Sequence, residues 1–238
     1  MNTKSKYERK TFSVLGDSIS TLIGYSYPDF AVFYNRENKL RSGIFTPADT
    51  WWGRVIARLG GELLVNNSYS GSTVCKHPMY EIESYGCSDE RTAALGMYGQ
   101  VPDVIMILLG INDWGRGMRI VPDEEECGLH LFSVAYETML EKIKRNYPEA
   151  EIWCLTLPRS QWSRNPECAI PFSYSGGHIR EYCEAIRICG EKAGCKVVDI
   201  YRPNDPYDTI DGFHPTVEGM RTIADAVLRE LGAECSQT

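Results

Sequence analysis

The stretch DVIMILLGINDW, Asp103 to Trp114, holds the most apolar run of the chain and ends it in glycine, asparagine and aspartate. Six consecutive apolar residues without polar alternation do not suit a strand with one wet face. They suit a strand buried on both faces, as in a parallel sheet covered by helices on either side. The polar turn that follows marks the carboxyl end of that strand. In open parallel sheets this is the edge where ligand crevices form.

Four further runs have the same character: TFSVLG near residue 11, ELLVNNS near 62, EIWCLTL near 151 and KVVDIY near 196. Between them apolar residues recur at helical spacing. Trp52, Val55, Ile56 and Leu59 form one stripe, stopped by Gly60-Gly61. Thr46-Pro47-Ala48-Asp49 before it reads as a capped helix start with proline in the first turn. Phe132, Tyr136, Met139, Leu140, Ile143 and Tyr147 form a second stripe, and Ile179, Tyr182, Cys183 and Ile186 a third. Met220, Ile223, Ala224, Val227, Leu228 and Leu231 form the last.

Strands alternating with helices imply right-handed crossovers and a three-layer α/β/α sandwich. No linker, repeat or composition shift divides the chain, so residues 1–238 are expected to form a single domain. The connections 24–45, 71–100 and 158–176 are longer than packing requires, and loops of that length are often functional.

Composition narrows the function classes. The 238 residues are 43% apolar and 24% charged with a net charge of −7, the balance of an ordinary soluble globular protein. Lys and Arg are scattered, and the acidic excess argues against a nucleic-acid partner. No apolar run approaches the ~20 residues of a membrane span. The opening MNTKSKYERKTF has no apolar core of a secretory signal. A cytoplasmic location is therefore expected for the chain as given, with export of a processed form left open. The nine cysteines contain no CxxC pair and several fall in core stripes, which predicts buried free thiols rather than a disulfide framework or a metal site.

Four polar turns carry the candidate chemistry. Gly16-Asp17-Ser18 ends the first run, where a glycine permits a tight turn and Ser18 sits at the sheet edge; an ordinary N-cap serine is the alternative. Asn66 to Thr73, NNSYSGST, ends the second run with Gly71, whose backbone N–H could approach a ligand closely. Asn112 follows the third run, and a neutral carboxamide there can stabilise an oxyanion without competing for protons; a plain turn is the alternative.

Asp211 to Pro215, DGFHP, places His214 at the expected start of the last helix. A helix N-terminus disfavours imidazolium. Asp211, three residues back, could offset that penalty, fix the Nδ1–H tautomer and leave Nε2 to take a proton from a serine.

Taken together, the blocks GDSI, SGST, GIND and DGFH resemble those of the SGNH hydrolases, the GDSL esterases and lipases, in the family order and over residues 11 to about 230. The resemblance implies a five-stranded parallel sheet between helices, the flavodoxin-like fold of that family. It implies Ser18 as nucleophile, His214 as base and Asp211 as its orienting partner. The N–H groups of Ser18 and Gly71 and the side chain of Asn112 would form the oxyanion hole. Ile19 stands where leucine is usual, a conservative change.

The expected function is hydrolysis of small esters, acetyl or short-chain and with acetylated sugars as one class, through an acyl-enzyme and without a metal or organic cofactor. An acyltransferase or thioesterase would use the same residues, and a non-catalytic carbohydrate- or ligand-binding module is the alternative from another class. The oligomeric state is left open.

Asp17, Asp113, Trp114 and Trp162 are the expected substrate-lining residues. Trp52 belongs to a core stripe. The acidic run Asp123 to Glu126 suits a helix first turn, and His77, His130 and His178 suit surface or capping roles.

Overall fold

The computed structural model describes residues 5–76, 84–121, 127–160, 177–205 and 207–233. Trp162, His77, the run 123–126 and most of the 158–176 connection lie outside the described residues.

Five strands form one parallel sheet: β1 Thr11–Gly16, β2 Glu62–Ser68, β3 Val104–Leu108, β4 Glu151–Leu155 and β5 Lys196–Val198. Each falls within one of the apolar runs. Among the described residues seven α-helices accompany them: α1 Arg36–Ser42, α2 Trp51–Leu59, α3 Asp89–Ala93, α4 Ile111–Arg116, α5 Phe132–Asn146, α6 Ile179–Lys192 and α7 Val217–Glu230. Every residue of β3 is buried, as its unbroken apolar run demands of a central strand.

The strand order is β2-β1-β3-β4-β5. The chain leaves β1 in one direction to make β2, then returns past β1 and builds β3, β4 and β5 in the other. Right-handed crossovers therefore put α2 on one face of the sheet and α3, α5 and α6 on the opposite face. The packing agrees: α2 lies against α7, while α5 lies against both α3 and α6. The direction reverses between β1 and β3, so a crevice opens beyond the carboxyl ends of those two strands.

Two helix starts differ from expectation. Pro47–Asp49 is a separate 3₁₀ turn, whose Asp49 carboxylate accepts from the Thr46 N–H at 2.9 Å. Thr50 is extended and caps α2 in its own right, its hydroxyl accepting from Gly53 N–H at 3.0 Å. The sequence holds two caps in succession, and only the second starts an α-helix.

The last helix likewise begins after Thr216 rather than at Pro215. The preceding loop closes on itself through Thr216 N–H to Asp208 O at 3.0 Å and Ile210 N–H to His214 O at 2.8 Å. His214 thus lies outside the helix.

The stripes face inward. Trp52, Val55, Ile56 and Leu59 are buried, and Trp51, off the stripe, is buried too. The seven described cysteines are free thiols, five of them buried.

Candidate active site

β1 delivers the first group. A Cβ on Gly16 would sit 2.7 Å from the Ser20 side chain, so the chain can close on itself here only with glycine. The next residues turn sharply into a 3₁₀ turn, Ser18–Ser20, capped by Asp17, whose carboxylate accepts from Ile19 N–H at 3.0 Å. Ser18 is almost wholly buried, yet its hydroxyl opens into a cavity of about 360 Å³.

The loop before α7 delivers the second and third groups. His214 Nε2 lies 2.9 Å from Ser18 Oγ, and its Nδ1 lies 2.7 Å from Asp211 Oδ2. The other oxygen of Asp211 accepts from the N–H groups of Phe213 and His214, at 3.1 and 2.9 Å. Burial pushes the Asp211 carboxyl up, but these bonds and the charge on His214 outweigh it and hold the group at about 2. Asp211 is therefore ionised at neutral pH and can orient an Nδ1–H and stabilise an imidazolium.

The carboxyl ends of β2 and β3 line the same cavity with Ser70, Gly71, Ile111 and Asn112. Gly71 adopts φ +84°, a left-handed conformation, with open space where a side chain would stand. Asn112 Nδ2 donates to Ser72 O at 2.9 Å. That bond uses one amide proton and leaves the second for a ligand. Phe33 and Phe213 complete the wall.

Three residues expected to line the crevice do not do so. Asp17 is 1% exposed and spends its carboxylate on the turn it caps. Burial lifts its carboxyl to about 7, helped by the charge of Asp113 and opposed by Ile19 N–H and Arg91. Asp113 is fully buried and accepts from Val74 and Cys75 N–H at 2.8 and 3.0 Å, clamping the loop that follows Gly71. Burial raises it to about 6 against the pull of those bonds.

Trp114 is fully buried, donates from Nε1 to Gly177 O at 3.0 Å and packs behind Phe213 at 5.6 Å. The reason is helical rotation. Asn112 opens into the cavity, and Asp113 and Trp114, ~100° and ~200° further round α4, turn into the interior. Trp162 lies outside the described residues. His178 caps α6, its Nδ1 accepting from Arg180 N–H at 3.1 Å.

Two residues escape a sequence reading. Arg91, on α3, resembles a solvated helical charge but is 4% exposed. It donates to Asn67 Oδ1 at 2.6 Å, Asn67 O at 2.8 Å, Gly16 O at 3.0 Å and Ser72 Oγ at 2.8 Å, and also to Ser84 Oγ. Burial lowers it to about 10, with Asp17 opposing, so it stays charged at neutral pH. The available signal was Asn66-Asn67-Ser68 at the end of a buried strand, since buried polar groups require partners. Phe33, in the 24–45 connection, stacks flat on His214 with ring centroids 3.4 Å apart and planes 7° from parallel. Nothing local in the sequence marks it. Among the described residues no group of three His, Cys, Asp or Glu side chains is placed to hold a metal ion.

Comparison with known proteins gives three findings. The model of the GDSL-like lipase/acylhydrolase family matches residues 10–231. A GDSL-like lipase candidate from Bacteroides ovatus is 26% identical and superimposes with a TM-score of 0.72, covering 95% of this chain and 100% of that one. Est24, a carbohydrate acetylesterase from Sinorhizobium meliloti, shares the fold at 16% identity, with a TM-score of 0.64 over 94% of this chain and 99% of its own. In addition, the cellulase/esterase CelE of Acetivibrio thermocellus is 26% identical over 136 residues, 55% of this chain but only 14% of that much longer enzyme.

Proposed function

We propose that this chain, which belongs to the GDSL-like lipase/acylhydrolase family, hydrolyses small esters through an acyl-enzyme formed on Ser18. Membership makes it a hydrolase; the triad and the substrate are the proposal. One observation carries the reading. Asp211, His214 and Ser18 stand in line at 2.7 and 2.9 Å, and the line ends in a cavity that Gly71 and Asn112 also border.

In the forward step Ser18 Oγ attacks the ester carbonyl while its proton passes to His214 Nε2. Asp211 holds the ring with Nδ1–H turned toward it, so Nε2 is the basic nitrogen. The carbonyl oxygen becomes an oxyanion, stabilised by the N–H groups of Ser18 and Gly71 and by the second amide proton of Asn112. The tetrahedral adduct collapses as His214 returns the proton to the leaving alcohol. Water then repeats the sequence on the acyl-enzyme, with His214 again the base, and frees the acid and Ser18.

The cavity supports a short acyl group. At about 360 Å³ it lies near the lower end of small-molecule sites. Its polar wall, Ser70 and Asn112, faces apolar Phe33, Ile111 and Phe213. Aromatic faces beside hydrogen-bonding groups suit an acetylated sugar. Est24 is a carbohydrate acetylesterase and CelE is a cellulase/esterase; an acetyl ester on a carbohydrate is therefore the proposed substrate class.

Turnover of p-nitrophenyl acetate with and without Ser18→Ala, alongside fluorophosphonate labelling, tests the reading. The variant should lose about 10⁶-fold in kcat, as nucleophile removal does in serine hydrolases, and should no longer label. Wild-type-like turnover would rule Ser18 out. Among natural esters, acetylated xylo-oligosaccharides should be cleaved faster than long-chain acyl esters.

A further inference from the structure

The ring of Phe33 lies flat on the imidazole of His214, and the residues beside it tie that contact to both ends of the proton relay. Phe33 N–H donates to Thr21 Oγ1 at 3.0 Å, and the same hydroxyl donates to Ser18 O at 2.9 Å. Tyr34, fully buried, donates from its phenol to Pro215 O at 2.8 Å. Three residues before Tyr34, Ala31 O accepts from Ser70 N–H at 2.8 Å, beside Gly71. Residues 31–34 thus reach the backbone of the nucleophile through Thr21, and touch the side chain and following carbonyl of the base and the loop of the oxyanion hole.

We propose that Phe33 is a positioning residue that holds the His214 ring against Ser18, with Thr21 and Tyr34 as the anchors that fix Phe33 in place. The inference rests on the chemistry proposed above. Ser18 and His214 come from opposite ends of the chain, and His214 stands on a loop rather than on a strand. Its Nδ1 bond to Asp211 leaves the ring free to swing about that contact. A parallel aromatic face at 3.4 Å removes that freedom, because any rotation out of plane breaks the stack or drives the rings into one another. The same face meets the imidazolium formed during the reaction and favours it through its π-electrons. Small errors in such geometry are costly, since misplacement by about 1 Å can cost ~10²-fold in rate.

Phe33→Leu keeps an apolar side chain of similar size but has no flat face, whereas Phe33→Tyr keeps the face. With p-nitrophenyl acetate, Phe33→Leu should lower kcat about tenfold or more with KM within about twofold, and Phe33→Tyr should restore most of the rate. The His214 ring protons, shifted upfield by the Phe33 ring current in the wild type and in Phe33→Tyr, should move back downfield in Phe33→Leu. In a His214→Ala background, where no ring remains to be held, Phe33→Leu should cost much less than its tenfold in the wild type.

Three results would overturn the inference: an unchanged kcat in Phe33→Leu, an effect confined to KM, or an equal loss in the His214→Ala background, which would leave Phe33 with its place in the cavity wall alone. Failure of the function itself looks different. A wild type without Ser18-dependent turnover removes the proposed chemistry and this role with it, while a Ser18-dependent wild type with a fully active Phe33→Leu removes only the role of Phe33.

Discussion

The two shoulders of the cavity are built differently. Ser18 stands on the end of a central strand, in a turn whose neighbours are sealed into the core. Trp51 Nε1 donates to Ser20 Oγ, and Trp52 Nε1 and Asn66 Nδ2 donate to Ser20 O, at 3.0, 3.0 and 2.8 Å. Arg91 holds the Gly16 carbonyl from below.

His214 and Asp211 stand on a loop, their side chains 20% and 25% exposed. They are held by the bonds of that loop, by Tyr207, whose hydroxyl donates to Phe213 O at 3.1 Å, and by the Phe33–Tyr34 pair. Ser18 is positioned by the fold, His214 by side chains laid across it. A shoulder of the first kind fails by unfolding; one of the second kind can fail while the protein remains folded.

Damage to the loop that carries Asp211 and His214 should show first in activity. Asp211→Asn keeps an oxygen for the Phe213 and His214 N–H groups but cannot orient an Nδ1–H. It should cost about 10⁴-fold in kcat with little change in melting temperature. A loss below tenfold would break the comparison at its base end.

Damage to the packing around the Ser18 turn should show first in stability. Arg91→Met removes a buried cation and strands the carbonyls and amide oxygen it serves, a change expected to cost about 3–5 kcal/mol by urea denaturation. A variant within 1 kcal/mol of wild type would show that the turn stands without its cation.

The smallest effect sharpens the same shoulder. The Asp17 carboxyl lies at about 7 in the fold against an ordinary 3.8, so the native state keeps its proton where the unfolded chain has lost it. Stability from this group is therefore present at low pH, falls as the pH rises from about 4 to about 7, and stays lowered above that window. Asp17→Asn cannot ionise and retains the acceptor for Ile19 N–H. Its melting temperature should exceed that of wild type at about pH 8 and match it at about pH 4. An equal difference at both would place the cost elsewhere.

Much of the architecture was legible because its signals are local. An apolar run without alternation marks a strand covered on both faces wherever it lies, and all five strands fall where such runs do. Helix boundaries were less legible, since Thr46 and Thr50 both carry capping chemistry and the backbone at Thr50 decides between them. Three of the four expected substrate-lining residues turn inward for a related reason. Asp17, Asp113 and Trp114 adjoin residues that do face the cavity, but proximity along a turn does not give direction. One step along a helix is enough to send a side chain into the core.

By itself the sequence determined the class of fold, the strands, and the polar turns at their ends, because these follow from periodicity, from the conformational needs of glycine and from residue chemistry. Tertiary structure alone decided the strand order and the crevice between β1 and β3. It also decided the burial of Arg91 beside the Ser18 turn and the stacking of Phe33 on His214. Those contacts join segments far apart in the chain, and their energies depend on distances and angles between side chains, which no local pattern of residues encodes.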